Sequence, residues 1–146
     1  EYIAKMFAPV ERKSGVNAYE LKKKLQKIAW EKAGVLRTGE LLEKAKREIE
    51  ELKEERNNLC SASKEKIYNR ELLECLQVDN LLTILEAIVI SASNRKESRG
   101  AHYRRDFPEM DNRTGLYNII ISNENGEMAS RTEPVVITRL VPKEVE

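Results

Sequence analysis

The chain has 146 residues, of which 35% are charged and only 5% aromatic, with 26 lysines and arginines against 25 aspartates and glutamates. That length allows one domain with a real core but is short for a complete cofactor-binding enzyme. A net charge of +1, with both signs interspersed, excludes a broad basic face for nucleic acid, because phosphate binding needs clustered positive charge.

Residues 1–16 mix apolar side chains with Pro9, Ser14 and Gly15 without a sustained period, and read as a linker or the tail of a preceding domain. A first helix is expected from Asn17, an N-cap with Glu20 three residues on. Leu21, Leu25, Ile28, Ala29 and Lys32 share one of its faces, and Gly34 ends it. A second helix is expected after Thr38, where Leu41, Leu42, Ala45, Ile49, Leu52 and Leu59 repeat at helical spacing. Glu40 with Lys44, and Glu43 with Arg47, sit at the four-residue spacing that adds roughly 0.3 kcal/mol per pair.

The third helix, residues 69–95, is amphipathic through Leu72, Leu73 and Leu76, then apolar almost all round over residues 81–90. Such a helix is enclosed by other elements, and two companions give it little cover, so a further partner surface is expected. Glu86 inside the run reads as exposed or paired with a basic residue. Beyond Pro108, residues 117–121 read as a strand, the Glu124-Asn125-Gly126-Glu127 stretch as a turn, and residues 135–140 as a second strand bracketed by Pro134 and Pro142. The fold class is therefore mainly α: a three-helix bundle followed by a small C-terminal β-hairpin. Residues 17–111 form the bundle with an arginine-rich turn, and residues 112–146 the hairpin extension.

Little in this chain reads as reactive. His102 is the only histidine and reads as a hydrogen-bonded structural residue rather than a general base. Cys60 and Cys75 have no local histidine and no metal-type spacing, so neither an activated thiolate nor a disulfide framework is expected, and the chain reads as cytoplasmic. There is no glycine-rich phosphate loop and no metal-ligand set. No signal peptide is visible. The apolar run over residues 81–92 is too short, and too interrupted by Thr83, Glu86 and Ser91, for direct membrane insertion. A start at Glu1 rather than methionine leads us to expect a piece of a longer polypeptide.

The densest chemistry lies in Arg95, Glu97, Ser98, Arg99, Gly100, His102, Arg105 and Asp106. Two readings are open. In one, Gly100 supplies the left-handed turn that ends the third helix, Arg95, Lys96 and Arg99 favour the negative end of its dipole, and Glu97 and Asp106 pair with arginines to lock the chain reversal. In the other, the arginines of residues 95–105 reach an anionic ligand or an acidic partner, as in an independent helical adaptor.

The run Arg95-Lys96-Glu97-Ser98-Arg99-Gly100-Ala101-His102, followed by Arg105-Asp106-Phe107-Pro108 and Asp111, resembles the signature near the C-terminus of succinate dehydrogenase/fumarate reductase flavoprotein subunits. Gly34-Val35-Leu36-Arg37 resembles the turn after that family's first C-terminal helix, and the segment Asn69 to Leu82 resembles its next helix start. The resemblance covers roughly residues 17–142. It departs at Leu116-Tyr117, where relatives commonly carry a tryptophan.

The resemblance implies that the parent protein interconverts succinate and fumarate with FAD, and passes electrons to an iron-sulfur subunit. It implies that this chain packs against the FAD-binding domain of the same polypeptide and against that subunit, with membrane association only through other subunits. The family's catalytic, flavin and substrate motifs match no position here. No catalytic, cofactor-binding or metal residue is therefore assigned, the piece alone is expected to be inactive and to bind no cofactor, and the signature residues are expected to be structural or docking residues.

Overall fold

The computed structural model describes residues 2–139. The described residues contain four helices: α1 (Tyr2–Glu11), α2 (Ala18–Lys32), α3 (Gly39–Arg56) and α4 (Arg70–Asn94). Each of the last three starts where a side-chain oxygen can accept from an orphan N–H of the first turn. Asn17 accepts from Tyr19 and Glu20, Thr38 from Leu41, and Asn69 from Leu72.

Residues 1–16 are not simply a linker. They contain α1, which Pro9 argues against in sequence. Pro9 falls in the last turn, its carbonyl accepts the Ser61 N–H at 2.9 Å, and Val10 beside it is 4% exposed. Packing thus supplies what local propensity withholds. Mainly α, with a terminal hairpin, is the observed class; the helix count is one higher than expected.

The core lies where α2, α3 and α4 meet. Leu21, Leu25 and Ile28 of α2 face Leu42, Ala45, Ile49 and Leu52 of α3, and Val78, Leu82, Leu85 and Val89 of α4 close the cluster. Leu59 belongs to this core although α3 stops at Arg56, because a bridge between Val16 and Leu59 carries the chain back over it. Only one side of the apolar run in α4 is enclosed: Ile84 and Ile88 remain 55% and 41% exposed. By length and hydropathy α4 would also suit a membrane span, but the bundle already accounts for its buried face.

Ion pairs tie the wet faces together. Lys22–Glu74, Lys24–Glu55, Lys32–Glu48 and Lys53–Glu86 each close at 2.6–2.7 Å between different helices. Glu86 is thereby paired. The expected four-residue pairs are not among the ion pairs of the described residues; Glu43 takes Lys46 instead.

Two short strands, β1 (Leu36–Arg37) and β2 (Tyr103–Arg104), pair in parallel with Leu36 opposite Tyr103 and Arg37 opposite Arg104. They clamp the α2–α3 connection to the turn that follows α4. The hairpin is β3 (Tyr117–Glu124) with β4 (Glu127–Pro134). Its second strand precedes the expected residues 135–140. Asn125 and Gly126 both adopt positive φ, 57° and 95°, which makes a two-residue hairpin turn. The return strand must then begin at Glu127, although Glu127–Pro134 is polar and the valines come after it. Pro134, expected just before the strand, is instead its last residue; Leu140 and Pro142 lie outside the described residues.

Leu42 is fully enclosed and Trp30 is 85% exposed. Urea unfolding is expected to show Leu42→Ala losing about 2–5 kcal/mol and Trp30→Ala changing stability by less than about 0.5 kcal/mol.

Candidate functional site

Beyond Asn94 the chain leaves the helix in an extended conformation and folds into a compact knot of charge. Glu97 is its centre. This carboxylate is 2% exposed. It accepts from Arg95 Nη1 at 2.5 Å, from Arg99 Nε at 3.0 Å and Nη2 at 3.1 Å, and from the Asp111 N–H at 2.8 Å. Burial alone would raise its pKa. The Arg99 fork, the Asp111 N–H and Arg95 outweigh that and hold it below the ordinary glutamate value.

Further donors of these arginines go to main-chain and amide oxygens. Arg95 donates to the carbonyls of Gly115 and Tyr117 at 3.0 and 2.6 Å, and its guanidinium lies 4.6 Å from the Tyr117 ring. Arg99 reaches Asp111 O and Asn112 Oδ1 at 3.0 and 2.9 Å. Arg95 thus fastens the start of the hairpin to the end of α4. Gly115 is required beside it, since a Cβ there would stand 2.5 Å from the Glu97 carboxyl carbon and 2.4 Å from Asp111 O.

A second ion pair closes the other side. Arg104, only 3% exposed, forks onto Asp106 at 2.8 and 2.7 Å and donates to the carbonyls of Ala92 and Arg95. Its contact with Ala92 O puts the positive charge on the C-terminal end of α4, the role expected of Arg95, Lys96 and Arg99. Asp106 also accepts the Gly39 N–H at 2.8 Å. The Arg104 bonds, seconded by Gly39, hold its carboxyl far below the usual range. Ser98 Oγ accepts the Arg104 N–H and donates to Phe107 O, which stitches the loop across itself.

Gly100 is left-handed as expected, at φ 58°, but it does not end α4. It sits first in the turn between Arg99 and His102, which exchange both backbone bonds at 2.9 and 3.0 Å. His102 Nδ1 meets Arg37 Nη1 at 2.6 Å and Nε2 faces Arg95 O at 3.4 Å. A guanidinium can only donate, so Nδ1 accepts and the ring is neutral with its proton on Nε2. Burial, then the charges of Arg37 and Arg104, push its pKa down.

Of the signature residues, Glu97, Arg95, Arg99, Ser98, His102 and Asp106 therefore converge on one latch. Arg105 does not: its N–H donates to Arg37 O, but the residue is exposed. Arg37, Gly39, Arg104, Asn112 and Gly115 complete the latch from positions not singled out as site residues. The signal for Arg104 lay in its adjacency to the run; nothing local marks Gly115. Arg104 bonds through all three of its nitrogens inside the chain, and Arg95 and Arg99 turn most of their donors inward, while Lys96 and Arg105 are exposed.

Among the described residues, the groups that bond the His102 ring are Arg37 and the Arg95 carbonyl. Burial pushes the Cys75 thiol up to about 11, which keeps it protonated at neutral pH. The described residues contain no group of three or more histidine, cysteine or acidic side chains placed to hold a metal.

Removing the carboxylate in Glu97→Gln leaves Arg95 and Arg99 uncompensated and is expected to cost about 3–5 kcal/mol in chemical denaturation. Acid should act in two steps, because depressed pKa values confer stability that is lost as pH falls. His102 gives the first, starting near its ordinary 6.5; Glu97 and Asp106 give the second, below about 4.5. In His102→Gln the first step should vanish from a pH series of urea melts and the second remain.

Comparison with known proteins shows what the chain is similar to. Residues 22–146 match the family described as the fumarate reductase flavoprotein C-terminus. A succinate dehydrogenase flavoprotein subunit of Rickettsia bellii is 32% identical over 142 residues, covering 96% of this chain and 24% of that protein. The solved structure of Mycobacterium smegmatis Sdh1 in complex with UQ1 superposes with a TM-score of 0.87 at 25% identity, over 93% of this chain and 23% of that one. An E. coli quinol fumarate reductase gives 0.85 at 26% identity, over 96% and 25%. The chain spans about a quarter of the length of the curated relatives it matches.

Proposed function

We propose a function from one premise: this chain belongs to the family of succinate dehydrogenase and fumarate reductase flavoprotein C-terminal domains. The polypeptide that carries it interconverts succinate and fumarate with FAD and hands electrons to an iron-sulfur subunit. This domain supplies no reacting group. Its part is to buttress the flavin-bearing region of the same polypeptide and the iron-sulfur subunit, and membrane association comes through other subunits.

The latch carries this reading. A cluster of arginines beside a cleft would suit anion chemistry if its charges were unpaired, yet Arg95 and Arg99 are paired with Glu97 and Arg104 with Asp106. Meanwhile apolar side chains stand out around it. Trp30, Val35 and Leu36 are 50–85% exposed, and Tyr103 pairs with Leu36 across the β1–β2 register. Aromatic and aliphatic side chains presented by a rigid support are the usual substance of a protein interface. A bundle held rigid from within, and apolar without, fits a docking domain.

The test combines this chain with the remaining segment of its flavoprotein. Succinate-dependent dye reduction is expected when both are present and not with this chain by itself, and the purified chain is expected to be colourless. Failure of the two pieces to associate or recover activity would count against the docking role. A yellow chain with flavin absorbance would overturn the assignment of the cofactor to the rest of the polypeptide.

A further inference from the structure

One guanidinium of the latch has no carboxylate. Arg95 and Arg99 share Glu97 and Arg104 holds Asp106. Among the described residues, Arg37 finds only neutral acceptors, Ala33 O from Nε at 3.1 Å and the His102 ring from Nη1 at 2.6 Å. It is half-buried, and both burial and the nearby charge of Arg104 disfavour its cation. A cation withdrawn from water without a counter-charge is costly, and like charges beside it raise the local potential further.

Arg37 opens onto a cleft. With Arg95 and His102 it forms one end of a space of about 510 Å³, whose other walls include Ile84 and Ile88 of α4 and Ile119 of β3. It is a groove open to solvent over much of its surface, with room for a small molecule. The two ends differ in kind: one is cationic, and the far walls are aliphatic and offer no second cation. A planar guanidinium matches a carboxylate edge-on, and the isoleucines match a short hydrocarbon body. An anion that is hydrated all round would leave those walls unused, and a second carboxylate would be pressed against them.

We propose that this cleft binds a single carboxylate on a short aliphatic body, the carboxylate on Arg37 and the chain between Ile84, Ile88 and Ile119. The carboxylate comes either from a free monocarboxylate or from an acidic side chain elsewhere in the longer polypeptide. His102 acts as a positioning residue, since its Nδ1 fixes one arm of the Arg37 fork. This inference does not depend on the docking role or on flavin chemistry, and its readout involves neither turnover nor cofactor.

The probe is butyrate, titrated into the 146-residue chain while the methyl signals of Ile84, Ile88 and Ile119 and the Arg37 Nε–H signal are followed by nuclear magnetic resonance. Saturable shifts at all four are expected, with acetate and succinate weaker than butyrate. Arg37→Gln should weaken binding by about tenfold or more, the loss of one charge-assisted fork. Arg105→Gln, at an exposed position, should leave it unchanged. If Arg37→Gln disturbs the fold, Ile88→Glu is the second variant: it sets a carboxylate into the cleft and should abolish the butyrate response with signal dispersion intact.

Repeating the titration in the full flavoprotein separates the sources. A retained response assigns the site to a free monocarboxylate. An Arg37 signal already displaced, and indifferent to butyrate, assigns it to a side chain of the polypeptide. Linear, unsaturating shifts in this chain, tighter binding of succinate, or a butyrate response that survives both variants would overturn the proposal.

Discussion

A single buried carboxylate organises the end of this molecule. Glu97 gives up hydration that water would otherwise supply, and the fold replaces it with two guanidinium groups and one backbone N–H. The groups it gathers are spread along the chain from Arg95 to Asp111, and Arg95 extends the reach to Tyr117. Without the carboxylate, two cations would face each other in a site largely shut off from water. With it, their spare donors become directional and capture carbonyls of the hairpin entry. The hairpin therefore stands where it does because of charge neutralisation, with only modest help from apolar packing: Ile119 and Ile121 face open clefts along α4.

The second pair, Arg104 with Asp106, performs a related task for the bundle. It joins the C-terminal carbonyl of Ala92 to the N-terminal amide of Gly39, so the ends of α4 and α3 are held through one salt bridge. The β1–β2 pairing runs alongside and sets Arg37 against His102. Four separate stretches of chain meet within this small volume. A domain built in this way offers rigidity at one end and exposed apolar surface around it, which suits a part that supports other parts.

Much of the helical architecture was legible because helix starts and stripes are local. Asn17 and Thr38 announce themselves as caps, and the leucine spacing of α2 and α3 assigns their buried faces. The errors share a cause. For α1, Pro9 and the weak period speak against a helix that is held by α4 and by the Ser61 N–H on the Pro9 carbonyl, far off in sequence. For β4, the valines after Pro134 outscore the polar strand, yet turn geometry at Asn125 and Gly126 overrides propensity. At the latch, Glu97 and Asp106 could be matched to arginines in general but not to particular ones. Arg104 and Arg105 are chemically identical neighbours. Only the register against Leu36 and Arg37 sends one inward and the other to solvent.

Amide hydrogen exchange at Asp111 tests the Glu97 account most directly, because that N–H has the buried carboxylate as its partner and lies in a segment with no helix or strand of its own. If Glu97 is the keystone, the Asp111 amide should exchange as slowly as that of Val78 in the core, opening only with global unfolding. Exchange at the rate of an exposed loop, with Val78 still protected, would contradict it.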